Sequence, residues 1–178
     1  LELYVPIRYL ASQETKEDDV QELVERFVSN NKQSVLLVLG GSGAGKTLLS
    51  WHVYLELVKK YQGKQTDWLP VHISLPAVPK SKIQEELIKS HLENLGLKEG
   101  EIQEIRKMKV LFILDGYDET GLLVNLLANQ FVFKADGHKV LVTCRNQYLT
   151  AIPSYSRLFT SNGDVFDPKF QEVTLAPF

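Results

Sequence analysis

The sequence is poor in sulfur, with one cysteine, Cys144, and one methionine in 178 residues. A single thiol excludes an internal disulfide, and so few cysteines fit a reducing, cytoplasmic setting. Neither sign of charge dominates: Lys+Arg 20 against Asp+Glu 22 leaves a net charge of −2. That balance argues against a broad electrostatic grip on nucleic acid. Long apolar runs are missing as well. No stretch reaches the ~18 apolar residues that a membrane-crossing helix needs, and the first residues lack the pattern of a secretory signal. The histidines, His52, His72, His91 and His138, lie too far apart for metal-ligand spacing and read as structural or surface residues. There is no internal repeat and no low-complexity tract. What is present is an ordinary globular composition, 44% hydrophobic and 24% charged, with enough apolar material to offset chain entropy. The length suits about one domain. The sequence opens at Leu1 without Met and stops at Phe178, so a piece of a larger protein is expected.

Residues 1–10, apolar and aromatic around Pro6, read as an extended arm. A capping pattern of Thr15 with Asp18, followed by Val20, Leu23, Val24, Phe27 and Val28 at helical spacing, predicts a helix from about Lys16 to Ser29. Ser34–Leu39 is a buried strand. A helix from Lys46 to about Tyr61 offers Leu48, Leu49, His52, Leu55 and Val58 to the core, and Gly63 ends it. Trp68–Leu75 is a strand. Ser81 with Gln84 caps one further helix, with Ile83, Leu87, Ile88, Leu92 and Leu95 on its apolar face and Gly96 as its stop. Strands are then expected at Lys109–Leu114, Lys139–Thr143 and Gln171–Leu175, with a helix over Leu122–Phe131 and a turn at Asp136-Gly137. Apolar strands alternating with helices imply an α/β fold with a mainly parallel sheet covered on both faces. Ligands of such sheets bind beyond the carboxyl ends of the strands, which directs attention to the residues after Leu39, Leu114 and Thr143.

After Leu39 comes Gly40-Gly41-Ser42-Gly43-Ala44-Gly45-Lys46-Thr47, a full G-x-x-x-x-G-K-[ST] loop between strand and helix. Glycines let the backbone approach a phosphate closely. Successive N–H groups then form an anion nest at a helix N-terminus. Lys46 can reach β- and γ-phosphates, and the Thr47 hydroxyl can ligate Mg²⁺. After Leu114, Asp115 ends a buried strand in the Walker B pattern, where it is held for Mg²⁺ or serves as a turn residue. Asp118 and Glu119 add two carboxylates in the same loop. They either activate a water beside the γ-phosphate or form a solvated acidic cap; which of the two would be the base stays open. Past Thr143, Arg145 faces the γ-phosphate if its strand lies beside the first one, or else pairs with a nearby acid. Cys144 reads as a small buried filler.

GGSGAGKT, LFILDGYDE, KVLVTCRNQYL and the terminal VTLAPF together resemble the nucleotide-binding domain of a NACHT-type STAND ATPase. The resemblance implies a P-loop NTPase three-layer sandwich of the additional-strand (ASCE) type. Its five-stranded, mainly parallel sheet would hold the sensor strand between the Walker A and Walker B strands. It implies ATP/ADP as ligand with Mg²⁺. It also implies that ATP binding and hydrolysis drive a switch between closed monomers and open oligomers in a signalling protein. Carried over, Gly40–Thr47 are Walker A, Asp115 the Mg²⁺ residue, Asp118 and Glu119 the water-activating acids and Arg145 the sensor arginine, while Tyr4, Val5, Pro6 and Ile7 line the adenine. Residues 1–33 would be an arm and helix packing on the nucleotide site, and 34–178 the core. The helical and winged-helix domains usual in such proteins are not in this sequence, and Leu175-Ala176-Pro177-Phe178 resembles the junction into them.

Three other readings compete with this one. Thr15-Lys16-Glu17-Asp18 matches a guanine-reading T-K-x-D, but it precedes the P-loop, whereas a GTPase places it after. A P-loop kinase calls for an arginine-rich lid, and between Phe131 and Gln171 only Arg145 and Arg157 occur. An ATP-binding scaffold without turnover shares every motif.

Overall fold

The computed structural model describes residues 8–10, 17–128, 137–160 and 163–176. In chain order the strands are β1 (Arg8–Leu10), β2 (Glu17–Asp19), β3 (Val35–Gly40), β4 (Trp68–Ser74), β5 (Lys109–Asp115), β6 (His138–Arg145) and β7 (Phe170–Leu175). The helices are α1 (Val20–Ser29), α2 (Lys46–Gln62), α3 (Lys80–Glu85), α4 (Leu87–Asn94), α5 (Glu99–Ile105) and α6 (Asn146–Leu149). The sheet runs β2-β1-β7-β3-β6-β5-β4. Its body, β7 to β4, is five strands all parallel, as the α/β reading expected. β6 sits between β3 and β5. On the β7 side the sheet is extended by β1, antiparallel to β7, and by β2, antiparallel to β1.

Strand periodicity splits the core in two, because successive side chains point to opposite faces. Leu37, Leu39, Ile73, Phe112, Leu114, Val140 and Val142 face α4 and α5 through Leu87, Ile88 and Ile102. Leu36, Val38, Leu111, Ile113 and Leu141 face α1 and α2 through Phe27, Leu49 and Val53. A sheet buried on both faces explains why β3 and β5 are apolar almost throughout. Among the described residues no helix is long and apolar enough to cross a membrane.

Several local expectations are corrected. Helix α1 starts at Val20, because the backbone of Glu17–Asp19 pairs with Arg8–Leu10 in the sheet; Thr15 and Lys16 lie outside the described residues. The predicted helix at Ile83–Leu95 is two helices, broken at Glu86 (φ −145°). Pro79, without a side-chain cap bond, precedes the first, and Leu95 is 62% exposed. Helix α5 was not anticipated; it is opened by the Glu101 carboxylate accepting from the Lys98 N–H at 2.8 Å. Residues 122–128 are not helical. Side chains there take backbone N–H groups that a helix would use: Thr120 accepts from Leu122, and Asn125 accepts from Leu127 and Ala128. The Asn125 amide also donates to the carbonyls of Arg157 and Thr160. The rest of the expected helix, 129–131, and the Asp136 half of the turn lie outside the described residues.

Candidate functional site

Parallel pairing brings one end of each central strand into a row. Gly40 of β3 lies opposite Arg145 of β6, and Ser74 of β4 lies opposite Asp115 of β5. The three places the sequence singled out therefore share the carboxyl edge of the sheet, which answers the condition set for Arg145: its strand is the neighbour of the P-loop strand.

Between β3 and α2 the chain doubles back. Gly43 (φ 76°) and Gly45 (φ 80°) adopt left-handed conformations that side chains disfavour. Close approach is a second demand at Gly40, where an added Cβ would stand 3.0 Å from that of Ala44. Lys46 Nζ folds back to donate to the carbonyls of Gly40 (2.9 Å) and Gly41 (2.8 Å), bracing the loop. Burial, opposed chiefly by the charge of Asp118, holds its ammonium below the ordinary lysine value. The loop leads into α2, whose buried face is Leu49, Ser50, Val53 and Leu57. Leu48 and Leu55, expected in the core, are 55% and 51% exposed. The helix begins where the loop ends, so its rotational phase points Leu49 at the sheet and Leu48 toward the loop's cavity.

That cavity, about 270 Å³, is lined by Ser42–Leu48, Glu119 and Arg145. The two acids of the Tyr117–Thr120 turn behave differently. Asp118 is nearly buried, its side chain 7% exposed, and ion-paired to Arg145 Nε at 3.0 Å. Its Oδ1 also accepts from the Arg145 backbone N–H at 2.9 Å. Glu119 is half exposed, meets Arg145 only at 3.7 Å and lines the cavity. The arginine is thus paired with acids, one of the two alternatives the sequence left open, and also lies on the cavity wall.

Asp115 is buried, and its Oδ1 accepts a short hydrogen bond from Thr143 Oγ1, 2.6 Å. Among the described residues no partner takes Oδ2. A hydroxyl from Thr47 and a carboxylate from Asp115 are hard oxygen donors, a set that suits Mg²⁺ retaining water and phosphate ligands. No group of three or more His, Cys, Asp or Glu placed to hold a metal ion occurs among the described residues. Cys144 is buried, and desolvation pushes its thiol up to about 12, which suits the expected filler. His72, expected to be structural, meets Ser50 Oγ at 3.1 Å and stacks on Trp51. Tyr4, Val5, Pro6 and Ile7 lie outside the described residues. The sequence reading gave Thr143 no role of its own; the signal for one is a lone hydroxyl within an otherwise apolar buried strand.

A parallel α/β sheet with a glycine-rich loop feeding a helix, and an acidic strand end two strands away, defines the P-loop NTPase fold. The NACHT domain family model matches residues 34–160, well over half of the chain, and the chain belongs to that family of nucleotide-binding P-loop NTPases. Comparison with curated proteins finds no match.

Proposed function

We propose that this domain binds ATP and ADP with Mg²⁺, hydrolyses ATP slowly, and serves as a nucleotide-controlled switch for self-association in a larger cytoplasmic signalling protein. The carrying observation is the single cavity shared by the P-loop, Glu119 and Arg145.

In this reading the amides of residues 42–47 cup the β- and γ-phosphates, with Lys46 reaching them as a point charge. Thr47 and Asp115 hold the metal, which when bound neutralises charge on the phosphate oxygens. Glu119 accepts a proton from a water whose oxygen attacks the γ-phosphorus. The bond from that phosphorus to the β–γ bridging oxygen breaks, and ADP leaves with the electron pair. Arg145 forks onto γ-phosphate oxygens, while Asp118 orients the arginine from its near-buried position. Tyr4, Val5, Pro6 and Ile7, which precede β1, line the adenine.

A titration of fluorescent ATP analogue tests this. Loss of charge-assisted contacts of about 1.5–3 kcal/mol predicts roughly 10- to 100-fold weaker binding for Lys46→Ala. ATP should also compete better than GTP. Equal binding by the variant and the unmodified chain would overturn the reading.

A further inference from the structure

Thr143 is fully buried, flanked by Val142 and Cys144 in the middle of the sheet. Valine has almost the same shape and would fill that position without burying a hydroxyl, which costs free energy unless it is bonded. Here both capacities of the hydroxyl are used. It donates to Asp115 Oδ1 at 2.6 Å and accepts from the Gly116 N–H at 2.9 Å. The β5–β6 register, with Leu114 opposite Val142, sets Thr143 beside Asp115, and the pairing of Val38 with Thr143 ties the same residue to the P-loop strand.

One hydroxyl therefore pins the carboxylate and the first residue of the acidic turn. Gly116 turns the chain at φ 84° into Tyr117–Thr120, the turn that carries Asp118 and Glu119. With Oδ1 occupied by Thr143, the Asp115 carboxylate is fixed in rotation and presents Oδ2 as its remaining donor. We infer that Thr143 is a positioning residue that orients Asp115 for the divalent cation bound with the nucleotide. Partners that orient a ligating group typically matter 10- to 100-fold in metal affinity when removed.

The inference rests on the proposed metal role of Asp115, so the experiment separates the two. Binding of fluorescent ATP analogue to the whole 178-residue chain is measured across a Mg²⁺ titration and again in EDTA, for Thr143→Val, Thr143→Ser and Asp115→Asn. Thr143→Val should raise the Mg²⁺ concentration for half-maximal binding about tenfold or more and change binding in EDTA less than twofold. Thr143→Ser, which keeps the hydroxyl, should stay near the unmodified chain. If the valine variant does not fold, Thr143→Cys, of similar volume with a weak acceptor, takes its place with the same expectation. A shift for Asp115→Asn with none for Thr143→Val or Cys overturns the positioning role alone, as does a serine variant as poor as valine. No shift for Asp115→Asn overturns the metal reading and the inference with it.

Discussion

The two acids after Gly116 predict a clean separation of stability from turnover. Asp118→Asn keeps the shape and an acceptor for the Arg145 N–H but removes the charge facing Arg145 Nε at 3.0 Å. A charge-assisted contact is worth about 1.5–3 kcal/mol. The arginine is 45% exposed, so screening reduces the expected loss to about 1–2 kcal/mol. Glu119→Gln alters a half-exposed group whose ion pair is long, 3.7 Å, and stability should change by less than about 0.5 kcal/mol. Turnover should respond in the opposite order. Removing the base facing the cavity should slow single-turnover hydrolysis at saturating ATP by about 10²- to 10⁴-fold. Asp118→Asn, acting through the aim of Arg145, should cost about tenfold. Urea denaturation and single-turnover hydrolysis on the same preparations provide both readings. Normal hydrolysis by Glu119→Gln, or a larger hydrolytic loss from Asp118→Asn, would refute the assignment.

The phase of α2 predicts that Leu49→Ala, in the core, costs about 2–5 kcal/mol, whereas Leu55→Gln on the exposed face stays within about 0.5 kcal/mol by chemical denaturation. Lys139 is buried, with Nζ donating to the carbonyls of Phe27, Asn30 and Gln33 at the end of α1; Lys139→Met should cost about 1–3 kcal/mol by removing these hydrogen bonds, although the Asn30 and Gln33 N–H groups still reach the Phe27 and Asn30 carbonyls. Burial pushes that ammonium down from 10.5 to about 8, so between those pH values the unfolded chain holds a proton that the folded chain has released. Stability from this group then rises with pH across that window and is flat below it. The gap between the unmodified chain and Lys139→Met should accordingly widen from pH 8 to 10, and parallel pH profiles would refute it.

What was legible in the sequence was contiguous. Gly40–Thr47 and the strand ending at Asp115 carry their geometry in adjacent residues, so strand, loop and helix could be read directly. The place of β6 beside β3, which brings Arg145 to the cavity, is a long-range pairing that only the family resemblance anticipated. Four features escaped because they depend on how side chains are placed in the folded chain. The phase of α2 follows from how the P-loop delivers it, and a count of apolar residues does not reveal that Leu48 points to the cavity. The segment after Gly121 has the composition of a helix, yet Thr120 and Asn125 capture its N–H groups. The different settings of Asp118, nearly buried and ion-paired, and of Glu119, on the cavity wall, and the bond from Thr143 to Asp115, show only once the strands lie side by side.

The central claim is that the loop at 42–47 holds a polyphosphate whose metal lies between Thr47 and Asp115. A crystal structure of the chain with Mg²⁺ and a non-hydrolysable ATP analogue tests it most directly. The account predicts phosphate oxygens against those amides, a cation bonded to Thr47 Oγ1 and reached by Asp115 directly or through one water, and Arg145 on the terminal phosphate. Nucleotide bound elsewhere, or a cation with neither Thr47 nor Asp115 near it, would contradict it.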